Sequence, residues 1–351
     1  MESRTRIEGV PTHIITGFLG SGKTTTILHL LKEKPSLSRW AVLVNEFGEI
    51  GVDGALFEGR HRKESGVFIR EVPGGCMCCT ANLPMQVALN ALLREARPDR
   101  LFIEPTGLGH PVEVLEVLSG ENYRESLSIQ RVVSLVDARC LADDRYLENE
   151  TFVQQVEIAD ILVGNKADLY SKTDHEALKA LAEKHGSQNL VTRVTEHGEM
   201  SLTEIMGDRP KSVNEGPEDS AHHDHHHHHH DHHHHHEDHS EHGDSLERPI
   251  PEEGYVKVEN SGEGYQSTGW RFNNQWVFDR RKLRDFFKDL RVDRMKAFVI
   301  TDTGYFCYNL GADGLNEDHV LSGPESRIEI VAQSCDPLWE NSLMACRRLE
   351  L

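Results

Sequence analysis

A chain of 351 residues with 37% hydrophobic and 27% charged residues is long enough for two domains and apolar enough for a soluble core. Asp and Glu number 58 against 38 Lys and Arg, a formal charge of −20. That balance argues against a nucleic-acid groove and favours cationic partners such as metal ions. No apolar run reaches membrane-spanning length, the N-terminus shows no signal-peptide core, and three of the seven cysteines are clustered. No membrane role is therefore expected, and the reducing cytoplasm is the expected compartment.

Thr12 to Thr16 reads as a short apolar strand, and Thr24 to Leu31 as a helix. Between them Gly17-Phe18-Leu19-Gly20-Ser21-Gly22-Lys23-Thr24 has the spacing of a complete phosphate-binding loop. The backbone N–H groups of such a loop turn inward, and the helix N-terminus adds positive potential. Gly17, Gly20, Ser21, Gly22, Lys23, Thr24 and Thr25 are the expected phosphate-binding residues. Lys23 would neutralise the β- and γ-phosphates, and Thr24 would place its hydroxyl on Mg²⁺.

Trp40 to Val44 is a second strand, followed by the Gly-rich acidic stretch Asn45 to Gly54, with the character of a switch loop ordered by nucleotide and Mg²⁺. Cys76, Cys78 and Cys79 then lie just before a helix expected from Leu83 to Arg97. A helix N-terminus lowers a thiol's pKa and readies it as a thiolate ligand. In an extended segment Cys76 and Cys78 share a face, so two thiolates bind one ion easily. Glu49 on the switch loop is the best further ligand.

Arg100 to Glu104 is a strand ending in a carboxylate that can hold Mg²⁺ or orient the attacking water, and Glu104 joins Lys23 and Thr24 as an expected catalytic residue. His110 is a weaker metal candidate, for which a structural or phosphate-side role is at least as good a reading. After a helix over Pro111 to Leu118 and strands over Val132 to Asp137 and Ile161 to Gly164 comes Asn165-Lys166-Ala167-Asp168. Asn165, Lys166 and Asp168 suit a guanine base, whose two N–H donors a carboxylate accepts, whereas adenine would leave Asp168 unpaired. GTP is therefore favoured over ATP. A helix over Asp174 to His185 follows.

Residues 207–252 change character sharply. They carry His225, His226, His227, His228, His229 and His230, then His232, His233, His234, His235 and His236, interleaved with acids. Such a tract cannot bury a core; it is expected to be disordered without metal and to bind several ions weakly. Imidazole suits Zn²⁺, Ni²⁺, Co²⁺ and Cu²⁺, and thiolates suit Zn²⁺. Strands are expected again over Gly264 to Phe272, Lys296 to Thr301, Tyr305 to Tyr308 and Ser326 to Val331, with helices over Asp279 to Leu290 and Asp336 to Leu349. The expected organisation is a P-loop NTPase domain over residues 1–206, a doubly wound, mostly parallel α/β sheet. A metal-binding linker follows over 207–252, then a smaller α+β domain of ferredoxin-like kind over 253–351.

Gly17–Thr24, Asn45–Gly54, Gly74–Cys79, Glu104–Gly107 and Asn165–Asp168, in that order, resemble the CobW-related P-loop GTPases. Leu43 to Gly48 and Glu104 to Pro111 are similar to the YeiR-like branch of that family. The resemblance implies a GTPase that binds zinc or a related metal and delivers it to a client protein. Some relatives carry a carboxylate where this chain has Val44, which shifts weight to Glu49 and the cysteines. A metal store with incidental GTP turnover, a nickel or cobalt chaperone and a P-loop enzyme that uses ATP as phosphoryl donor are the alternatives. The client and the oligomeric state are left open. Glu104, Glu49 and Asp53 compete to position the hydrolytic water, and without a visible arginine finger turnover is expected to be slow.

Overall fold

The computed structural model describes residues 6–44, 66–72, 83–209, 249–262, 264–311, 313–320, 322–323 and 325–348. Strands β1 (Val10–Gly17), β2 (Trp40–Val44), β3 (Val67–Glu71), β4 (Arg100–Glu104), β5 (Leu127–Ile129), β6 (Val133–Val136), β7 (Ile161–Asn165) and β8 (Val191–Thr195) form one sheet. Its order is β3-β2-β4-β1-β6-β7-β8, with β5 paired to β1, and every pairing is parallel. Both faces are covered, which is why β2 is apolar and buried at all five positions.

Alternation along the strands divides the core in two. Ile14, Ala41, Leu43, Leu101 and Ile103 pack on one face against α2 (after α1, Lys23–Leu31, the helix Leu83–Ala96) and α3 (Pro111–Ser119). Ile15, Trp40, Val42, Val44 and Phe102 pack on the other against Ile27, Leu30 and Leu31 of α1. Next in the chain come α4 (Asp144–Leu147), α5 (Glu150–Glu157), α6 (Lys172–His185) and α7 (Leu202–Ile205). β1 lies between β4 and β6, so the chain runs outward on both sides of it and leaves a crevice past its C-terminal end. The phosphate loop stands there.

The C-terminal unit is a six-stranded sheet of β9 (Tyr255–Gly262), β10 (Tyr265–Phe272), β11 (Arg294–Thr301), β12 (Gly304–Gly311), β13 (Gly314–Val320) and β14 (Ser326–Ala332). All neighbours are antiparallel, in the order β13-β12-β11-β14-β10-β9. It has more strands than the βαββαβ plan. Helices α8 (Arg280–Asp289) and α9 (Leu338–Met344) cover one face through Leu283, Phe287 and Leu343 on Trp270, Met295 and Ala297. The opposite face turns to the parallel sheet: Tyr265 and Val331 share a cluster with Phe18, Leu108 and Phe152. Arg327 Nη1 to Glu71 Oε2 (3.3 Å) ties the two units at their rim. Among the described residues no helix is long and apolar enough to cross a membrane.

Candidate functional site

The phosphate loop is held from three directions. Gly17 closes β1, Gly20 is exposed at the loop tip, and Lys23, 5% exposed, starts α1. Lys23 Nζ donates to the carbonyls of Gly17 (2.9 Å) and Phe18 (3.3 Å), so the lysine folds back along its own loop. Ser21 Oγ is buried without a hydrogen-bond partner, a donor in want of an acceptor. Gly22 caps α1 at φ 102°, and a side chain there would collide with Asn165 Nδ2, so only glycine fits. Thr25 is exposed on the first turn.

Thr24 and Glu104 meet across the crevice. Thr24 Oγ1 donates to Glu104 Oε1 at 2.8 Å, and Glu104, at the end of β4, is only 1% exposed. Gly107 follows it and approaches the loop closely: a Cβ there would stand 3.0 Å from Leu19 N and 3.1 Å from Lys23 Nζ. Gln155 of α5 fixes that approach by donating to Gly107 O at 3.1 Å. His110 sits outside this ring. It caps α3, and its Nδ1 lies 3.1 Å from Gln154 Oε1, a structural position.

Asn165 joins the third segment to the first. Its Nδ2 donates to Ser21 O (2.8 Å), while its Oδ1 accepts from Lys166 N (2.8 Å) and Gly198 N (2.9 Å). The Tyr170 hydroxyl, 2.6 Å from Asn165 O, accepts from Ala138 N at 2.8 Å, and burial pushes its pKa up. Lys166 adopts φ 65° and Asp168 is exposed on the short turn that follows. Lys166 Nζ reaches Asp137 (3.2 Å) and Asp313 of the β12–β13 connection (2.6 Å), and Arg139 pairs with the same two carboxylates. Burial alone would raise the Asp313 carboxyl, but the hydrogen bonds from Lys166 and Arg139 outweigh it and hold it below the usual range.

A cavity of about 190 Å³ lies over the loop. Gly20, Gly22, Lys23, Thr24, Thr25 and Glu104 form its floor, and Arg294, Lys296, Asn309, Asn316 and Asp318 of the C-terminal sheet form its roof. A smaller one of about 60 Å³ adjoins it and reaches Asp137, Lys166 and Asp313. The roof has no counterpart in the sequence motifs, because Lys296 reads there as an ordinary strand residue and Arg294 lies just ahead of the expected strand, which in the structure begins at Arg294. Gly198 and Tyr170 were equally unmarked, although a glycine turn just past a strand is the signal that points to Gly198.

Glu49, Cys76, Cys78, Cys79 and the His225–His236 tract lie outside the described residues. Their points of departure are fixed nonetheless. Val44 is in register with Glu71 on one side and Glu104 on the other, and Val72 N donates to Val44 O at 2.9 Å. Among the described residues no three His, Cys, Asp or Glu side chains converge as a metal site.

A parallel doubly wound sheet with its phosphate loop in the crevice past β1 defines a P-loop nucleotide-binding protein. Residues 11–193 match the CobW/HypB/UreG nucleotide-binding domain, and the chain belongs to that family, in its YeiR-like branch. It is 39% identical over 342 residues to the zinc chaperone YeiR of Escherichia coli strain K12, covering 97% of this chain and 98% of that protein. It is 30% identical over 214 residues to the zinc chaperone YjiA of the same organism, covering 56% and 65% of the two chains. The zinc chaperone CobW of Sinorhizobium sp is 29% identical over 221 residues, covering 56% of this chain and 62% of that one.

Proposed function

We propose that this protein is a GTP-hydrolysing zinc chaperone whose nucleotide state sets its affinity for metal. The observation that carries the proposal is the shared level of Val44, Glu71 and Glu104 at the ends of three neighbouring strands. The segment with Glu49 begins one residue after Val44, and the segment with Cys76, Cys78 and Cys79 begins just past Val72. The first therefore leaves the sheet beside the carboxylate that touches Thr24, and the second one strand further out at the same level. A metal site drawn from both segments would be rebuilt whenever the phosphate site changes occupant.

In this reading Gly17, Gly20, Ser21, Gly22, Lys23, Thr24 and Thr25 hold the triphosphate, and Asn165, Lys166 and Asp168 select guanine. The orphaned Ser21 hydroxyl and the cradle that a Cβ on Gly107 would fill both suit an anionic guest. Thr24 and Glu104 offer hard oxygen donors side by side, which suit Mg²⁺, and that ion would neutralise phosphate charge when bound. Zinc is the cargo, held by the cysteines and Glu49, with the histidine tract collecting further ions. The division into residues 1–206, 207–252 and 253–351, and a cytoplasmic location, belong to the same proposal. A metal-requiring client receives the ion on hydrolysis.

Linkage makes this testable, because if GTP changes zinc affinity, zinc must change GTP affinity by the same factor. Zinc competition titrations on protein lacking residues 221–242 are run with GDP and with a non-hydrolysable GTP analogue plus Mg²⁺. A several-fold difference in the tight site supports delivery. Equal affinities overturn the coupling and favour a metal store.

A further inference from the structure

The two faces of β11 are built differently. Met295, Ala297 and Val299 enter the apolar core under α8, and the alternate residues Arg294 and Lys296 turn to the phosphate loop. Both are buried, at 9% and 6% exposed, and both line the cavity opposite Lys23 and Thr24. Lys296 Nζ lies 3.4 Å from Thr24 Oγ1, the hydroxyl that also donates to Glu104. Glu329 of β14, 3% exposed, stands directly across from Lys296 in register. Burying a cation costs free energy that a contact between two sheets does not require, and Phe18, Tyr265 and Val331 already join the sheets with apolar surface. Two buried cations that line the cavity opposite Lys23 and Thr24 suit a polyanion as its guest.

We propose that Lys296, with Arg294 beside it, reaches the terminal phosphate of the bound nucleoside triphosphate from the C-terminal sheet. It is a cationic finger supplied within the same chain, and the proposal rests on the GTP-hydrolysing reading above. In that reaction the water oxygen bonds to the γ-phosphorus and the bond to the β–γ bridging oxygen breaks. GDP departs and the water proton leaves with inorganic phosphate. Lys296 exchanges neither proton nor electrons. Its charge meets the equatorial oxygens, where negative charge lies in the transition state. A diphosphate lacks the group that Lys296 contacts, so the residue also distinguishes GTP from GDP.

The test compares the full-length wild type with Lys296→Met, Lys296→Arg and the double variant Lys296→Met/Glu329→Gln. The double variant removes both facing charges and so guards against a fold lost to one unbalanced carboxylate. Single-turnover GTP hydrolysis is measured beside the affinities for GDP and for a non-hydrolysable GTP analogue. Lys296→Met and the double variant are expected to keep GDP affinity within about twofold. They should lose roughly tenfold or more in analogue affinity or in hydrolysis rate, and Lys296→Arg should restore most of the loss. Hydrolysis and analogue affinity at wild-type level in the double variant overturn the proposal. So does an equal loss for GDP and analogue, which marks a structural residue. A wild type that does not turn over GTP refutes the underlying activity instead, and the comparison of analogue with GDP still decides the contact of Lys296.

Discussion

Replacing Asn165 by alanine should uncouple the phosphate loop from the base-reading turn. The side chain is 2% exposed and makes hydrogen bonds to Ser21 O, Lys166 N and Gly198 N. Each such bond is worth about 1 kcal/mol net, and a buried group left unpaired costs about 1–3 kcal/mol. Lys166 is only half-buried and water can serve its N–H, which leaves Ser21 O and Gly198 N as the costly orphans. The sum is about 3 kcal/mol, or roughly a hundredfold in an equilibrium constant. Because these bonds order the two loops that grip the nucleotide, the loss should fall largely on binding. Fluorescent GDP titration measures the affinity, and urea denaturation measures what falls on the fold. Asn165→Asp keeps the acceptor side and turns a carboxylate toward Ser21 O, so it should do no better than alanine. A change of less than threefold in affinity with an unmoved urea midpoint would refute the argument.

Gly107→Ala places a methyl 3.0 Å from Leu19 N and 3.1 Å from Lys23 Nζ; nucleotide affinity should fall about tenfold by titration, and unchanged affinity would show that the loop yields freely. His13 is buried beside Arg100, and burial first, then the Arg100 charge, lowers its pKa from the ordinary 6.5 to about 3. A depressed histidine contributes stability above pH 6.5 and loses it as pH falls toward 3, about 3 kcal/mol between pH 7 and pH 4. His13→Gln, which keeps an acceptor for Arg100, should remove that share of the acid sensitivity in urea midpoints, and an identical pH dependence in the variant would count against it. Phe287→Ala empties a fully buried site under the C-terminal sheet and should cost about 3–5 kcal/mol in the same assay, with a loss below 1 kcal/mol contradicting the packing. Cys78→Ala should weaken the tight zinc site while deletion of residues 221–242 removes only weak ions; tight binding that survives Cys78→Ala would rule the cysteine out.

What could be read in the sequence was local. The phosphate loop, the strand ending at Glu104 and the Asn-Lys-x-Asp turn each declare themselves within ten residues, and each of these parallel strands carries a buried apolar run such as Ile14-Ile15, Leu101 to Ile103 or Ile161 to Val163. Among the strands that escaped notice are the short β3 and β5 and the polar β8, β9 and β13. β8 exposes its central positions at the sheet edge, and β13 carries Asn316, Glu317 and Asp318. Helix α5 was missed although Asn149 caps it by accepting from Phe152 N, a signal present in the sequence. The last helix is shorter than Asp336 to Leu349 because the chain turns after Met344 and Arg348 N donates to Val277 O, leaving the helix for the sheet. The roof over the phosphate loop was out of reach for another reason. Lys296 meets Thr24 across 272 positions, and no periodicity within a strand announces a partner that far away.

The seam of Phe18, Tyr265 and Val331 has a consequence for how the molecule comes apart. Phe18 belongs to the phosphate loop itself, and its ring meets Tyr265 edge-on at 6.3 Å. Severing the chain after residue 206 would take Tyr265 and Val331 from that ring while Tyr146 and Phe152 still flank it, and the apolar side so uncovered should leave the fragment prone to self-association. The same seam should make the intact protein melt in a single calorimetric transition, since opening either sheet exposes the other's apolar flank, and two resolved transitions would refute this.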